Sequence, residues 1–119
     1  MAAGAIALAL AVAIGAASAH AAGRAAHPDA ARLLQTAVLY QLVHGLGAVI
    51  VGVLARGEAP SRLLVLSGML LLAGIVLFCG SLYWLALAGV SRGPFAPVGG
   101  VSFMAGWSCL AAWALRSRG

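Results

Sequence analysis

The sequence predicts an all-α integral membrane protein, a four-helix bundle of antiparallel, up-down topology. Four apolar stretches, Ala2 to Ala22, Leu33 to Leu54, Leu63 to Val90 and Pro97 to Leu115, fill most of the 119-residue chain. None of them contains Arg, Asp or Glu, and a bilayer core about 30 Å thick needs roughly 20 apolar residues per spanning helix. Hydrophobic residues make up 64% of the chain and charged ones 8%, against roughly 25% charged in soluble domains. A water-soluble fold is therefore excluded. With the chain shared among four spans, residues 1–119 read as a single membrane domain.

The first helix, 2–22, is rich in alanine, and Ala7, Ala11, Gly15 and Ala19 recur at every fourth position. Such a smooth stripe lets helix backbones approach closely where lipid supplies no hydrophobic drive. The competing explanation is an alanine-rich, arginine-only composition of the kind a GC-rich coding sequence produces. Ala17-Ser18-Ala19 has the form of a small-x-small cleavage site, but the run starts at Ala2 with no Lys or Arg before it. It also exceeds a signal-peptide core of roughly 7–15 residues, so retention of the helix is expected.

In the first connection, Pro28-Asp29 stops any continuous helix before the second span, 33–54. The next connection, Arg56 to Arg62, holds Gly57, Glu58 and Pro60 and suits a tight hairpin, with Ser61 placed to cap the third helix, 63–88. That third apolar run is longer than a span requires, so its helix must tilt or end before Val90. The last connection carries Arg92, Gly93 and Pro94. Pro97 then suits the first turn of the fourth helix, 97–115, where its missing N–H loses no bond.

All seven basic residues are arginines, set against Asp29 and Glu58, for a net charge of +5. They are dispersed among the connections and the C-terminal tail, without the aromatic-interleaved basic face that nucleic-acid binding needs. An inside N-terminus puts Arg56, Arg62, Arg116 and Arg118 on the cytoplasmic side and Arg24, Arg32 and Arg92 opposite. The arginine pair after the last helix is the cleanest positive-inside signal, so the expected orientation is N-in, C-in. Cys79 and Cys109 fall inside spans at different depths and read as small packing residues rather than a disulfide.

Polar side chains in hydrocarbon are costly unless they face a partner or water, so the few present mark the bundle interior. The second helix supplies Gln35, Thr36, Tyr40, Gln41 and His44, and both Tyr40 and Gln41 share a face with His44. Counted from Leu33, His44 lies about 16 Å into the membrane. An imidazole there can hold a haem or metal, relay protons, or make an interhelical hydrogen bond. His20, at the outer end of the first helix, is too distant in depth to be a second axial ligand. On the N-in topology His20, Thr36, Tyr40, Gln41, Ser81, Tyr83, Gly99 and Gly100 fall in the outer half, with His44 beneath them. Residues 49–53, 63–72 and 110–115 make the inner half nearly all apolar. These nine polar and glycine positions form the candidate site, either as a polar crevice opening outward or as a packed polar layer. Tyr83 and Trp84 equally suit an interfacial belt. No metal or cofactor is expected.

Several strings carry a resemblance: Leu77-Phe78-Cys79-Gly80-Ser81-Leu82-Tyr83, Pro97-Val98-Gly99-Gly100, Gly106-Trp107, Ala19-His20, and Thr36 with Tyr40-Gln41 and His44. Together they resemble the domain-of-unknown-function family four-two-three, in order along all four helices. The resemblance implies a small four-span protein, located in bacteria in the inner (plasma) membrane, and it supplies no reaction. Ala17-Ser18 stand where that family usually has Phe-Gly, and Ala96 replaces a usual Thr. A Thr there would cap the last helix, so Ala96 is expected to weaken that terminus by about 1 kcal/mol.

The leading functional expectation is a structural or accessory membrane protein whose partners are the lipid bilayer and either a second copy of itself or a larger membrane complex. The alternative is a ligand-binding or transport protein using a polar crevice near His44. An enzyme ranks third, because Ser81 and Cys79 have no base positioned by the sequence.

Overall fold

The structure is a computed structural model that describes residues 1–57 and 61–119. Glu58 and Pro60 of the expected hairpin lie outside the described residues. The elements are α1 (Ala2–Ala22), α2 (Ala30–Leu54), α3 (Arg62–Gly74), a π-helical turn (Ile75–Cys79), α4 (Gly80–Ala88) and α5 (Phe95–Arg116). With α3, the π-turn and α4 continuous, four helical rods are long and apolar enough to cross a membrane. Among the described residues there is no strand.

Interhelical contacts fix the topology. Met1 approaches Gly52, Gly4 approaches Val49 and Gly15 approaches Val38, so α1 and α2 run antiparallel. Ser67 bonds to Gly106 and Ser102 to Leu70, so α3 and α5 are antiparallel as well. The main pairings are α1 with α2, α2 with α3 and α4, and α3 and the π-turn with α5. The result is an up-down-up-down bundle with both termini and the α2–α3 connection at one end, flattened to extents of 52 × 26 × 16 Å.

Several boundaries shift from expectation for local reasons. Helix α2 starts at Ala30, which brings Arg32 into its first turn, where the exposed guanidinium pairs with Asp29 at 3.4 Å. Ser61 caps α3, its Oγ accepting from the Leu63 amide at 3.3 Å. Helix α5 starts at Phe95, so Pro97 does sit in its first turn. Ala96 is then already inside the helix and Pro94 is the capping position, so the expected loss of a Thr cap at residue 96 does not apply. The long third rod ends at Ala88, where Gly89 adopts a left-handed φ of 70°. The amides of Ala26 and His27 donate to the carbonyls of Leu87 and Ala86, each at 3.4 Å. The first connection thereby satisfies helix-end acceptors that would otherwise face lipid.

The smooth stripe of α1 is only partly an interface. Ala7 and Ala11 are buried, whereas Ala19 is exposed. A close approach occurs at Gly4, where a Cβ would lie 2.9 Å from the Gly45 carbonyl oxygen and the Val49 amide. Outward faces carry Ile6, Leu10, Val12, Met69, Val76 and Met104, all exposed as a lipid-facing surface requires.

Candidate functional site

The buried side chain of Gln41 joins three rods. Its Nε2 donates to the Ala7 carbonyl on α1 at 2.8 Å, and its Oε1 accepts from the Tyr83 hydroxyl on α4 at 2.7 Å. Because α2 begins at Ala30, Gln41 stands about 16 Å from that end of the helix, close to its middle. An amide at that depth must find partners inside the protein, and this one does.

His44 is committed differently. Its Nδ1 lies 2.6 Å from the Tyr40 carbonyl oxygen. A carbonyl only accepts, so Nδ1 carries the proton and Nε2 presents a lone pair. Among the described residues no hydrogen bond reaches Nε2. No buried side-chain nitrogen or oxygen there lacks a partner, so Nε2 is not sealed inside protein. His44 instead borders a groove of about 380 Å³ between α2 and α5.

The groove walls are aromatic. The His44 ring stacks on Phe103, with centroids 3.5 Å apart, and on Tyr40 at 5.6 Å. Phe78 lies 4.7 Å from Tyr40, and Trp107 lies 6.0 Å from His44. Phe78 belongs to the π-turn, a feature that recurs at functional sites because it interrupts regular helical register. Opposite it, Gly99 packs directly on the Phe78 backbone amide, too close for any Cβ. Gly100, one residue on, has open space around it and lines the groove.

The nine expected residues are thus divided. Tyr40, His44 and Gly100 border the groove; Gln41 and Tyr83 form a closed bridge; Gly99 is consumed in helix packing. Ser81 donates to the Phe78 carbonyl at 2.9 Å and lines a different groove. Thr36 is half-buried, and His20 is exposed near the end of α1. Cys79 is buried, Cys109 half-buried, and both thiols are free. Among the described residues no group of three His, Cys, Asp or Glu side chains forms a metal cluster.

Sequence reasoning did not single out Phe78, Phe103 and Trp107 as walls, although Phe103 and Trp107 are four residues apart on one helical face. It also missed Ser67, fully buried in a stretch read as apolar, whose hydroxyl donates to the Gly106 carbonyl at 2.8 Å. With Ser102, which donates to the Leu70 carbonyl at 2.7 Å, it ties α3 to α5.

Fold and site define a small multi-pass membrane protein with an aromatic-walled groove at mid-depth. The family model described as "Protein of unknown function (DUF423)" matches residues 14–100, and the chain belongs to that family. It is 37% identical over 117 residues to UPF0382 membrane protein SERP0230 of Staphylococcus epidermidis, covering 98% of this chain and 94% of that protein. It is 38% identical over 106 residues to UPF0382 inner membrane protein YgdD of Escherichia coli, covering 88% and 80%. Similarity to UPF0382 membrane protein SH2409 of Staphylococcus haemolyticus is 43% over 77 residues, and this match spans 62% of that protein's length. No solved structure matches the chain significantly.

Proposed function

We propose that this protein is a non-enzymatic binding protein of the plasma membrane, oriented N-in, C-in, that holds a ring-bearing, lipid-soluble molecule in the groove between α2 and α5. The observation that carries this reading is His44 Nε2, a hydrogen-bond acceptor with no donor among the described residues, set among aromatic faces. In hydrocarbon such an acceptor gains most from a hydroxyl or amine on the ligand, because water is scarce there. Aromatic walls favour a flat ring beside it. Because the Gln41 amide is bonded on both sides, it offers no continuation of a polar path, which favours binding over transport. Extraction of protein purified in mild detergent, followed by mass spectrometry, tests the proposal. A near-stoichiometric hydroxylated ring compound is expected from the natural protein and not from His44→Phe; equal recovery from both contradicts it.

The structural or accessory reading retains one supporting observation. Ala5, Ala9, Ala13 and Ala17 form an exposed small-residue stripe on α1, distinct from the buried Ala7 and Ala11. Such stripes suit close helix association. Oxidative cross-linking of Ala9→Cys in a chain with Cys79→Ala and Cys109→Ala distinguishes it: a covalent dimer in native membranes supports self-association through this face.

A further inference from the structure

A second groove, of about 310 Å³, runs along α4 on the other side of the π-turn and shares no lining residue with the His44 groove. Arg92 and Phe95 line its end at the connection, Trp84 and Ser81 line it further along, and Gly80 and the exposed Val76 line its far end. We propose that it binds one anionic phospholipid, with the phosphate on Arg92 and one acyl chain laid along the groove toward Val76.

Four features support this occupant. First, the Arg92 guanidinium lies over the Trp84 ring, 4.1 Å from its centroid. Stacking fixes the plane of the cation while leaving its N–H edges available to phosphate oxygens. Second, the one ion pair among the described residues is Arg32 with Asp29, so no described carboxylate neutralises Arg92. Third, Arg92 belongs to the connection after Gly89 ends α4, and Trp84 lies one turn below that end, an arrangement that suits the headgroup level. Fourth, the far end is open and apolar. A Cβ on Gly80 would meet nothing within 4 Å, and the Ser81 hydroxyl is turned back to the Phe78 carbonyl. From Val76 to Trp84, the residues of the third rod that line the groove, the rise is about 12 Å, a length suited to the upper part of an acyl chain.

Native mass spectrometry of the full-length protein, titrated with phosphatidylglycerol or with phosphatidylcholine of identical chains, tests the proposal. One phosphatidylglycerol per chain is expected to remain bound at concentrations where phosphatidylcholine does not. Arg92→Gln should weaken that binding about tenfold, as should Gly80→Ile, which obstructs the groove, while Arg24→Gln in the other connection at that end should leave it unchanged. Equal retention of the two lipids overturns the proposal. So does an equal loss in Arg92→Gln and Arg24→Gln, which identifies a diffuse surface charge, or undiminished binding by both Arg92→Gln and Gly80→Ile.

Discussion

The imidazole of His44 lies nearly flat on the phenyl ring of Phe103, with centroids 3.5 Å apart and planes inclined by 17°. That contact joins α2 to α5 and fixes the ring that borders the groove. Phe103 is 3% exposed, so Phe103→Ala should remove about 3–5 kcal/mol of stability. Phe103→Leu keeps most of the volume but loses the flat face. It should cost under about 1.5 kcal/mol while weakening ligand retention, as read from unfolding in detergent beside the extraction assay.

Gly99 and Gly100 are adjacent, yet their substitutions should differ. A Cβ at residue 99 runs into the Phe78 backbone, whereas one at residue 100 meets nothing within 4 Å. Gly99→Ala is expected to destabilise by about 1–3 kcal/mol through overpacking. Gly100→Ala should be neutral or slightly stabilising in the same unfolding measurement.

Tyr83→Phe leaves Gln41 Oε1 without its donor, and Gln41→Leu leaves the Tyr83 hydroxyl without its acceptor. Each change should destabilise modestly, and a double-mutant cycle should give a coupling near the roughly 0.6 kcal/mol typical of hydrogen bonds between membrane helices. A coupling near zero would show that the bridge contributes nothing to stability.

Retention of α1 is expected because of the same amide. Removal of residues 1–19 would take away the Ala7 carbonyl that accepts from Gln41 Nε2, leaving an amide donor unpaired in hydrocarbon, which is unfavourable. The mature protein is expected to have a mass that includes α1. Recovery of a product starting at His20 contradicts this.

The spans were legible because apolar length is a one-dimensional signal that hydrocarbon thickness makes nearly unambiguous. Ser61 as a cap and Pro28 as a break were legible for similarly local reasons. The grouping of site residues was not, because depth along a span does not say which way a side chain faces. Ser81 and Tyr83 share a level but stand two residues apart on α4, about 200° around the helix. Tyr83 therefore meets Gln41 while Ser81 lines another groove. The role of Ser67 was equally hidden, since a lone serine does not reveal which carbonyl on another helix it meets.

The donor preference of His44 tests the central claim most directly. Under anaerobic conditions, a short-chain quinol and its oxidised quinone have nearly the same ring shape, but the quinol alone brings hydroxyl donors to Nε2. Titration followed by tryptophan quenching should show the quinol binding about tenfold more tightly than the quinone, a difference of about 1.4 kcal/mol. That preference should disappear in His44→Phe. Equal affinity for the two forms, or a preference that survives the substitution, would contradict the account.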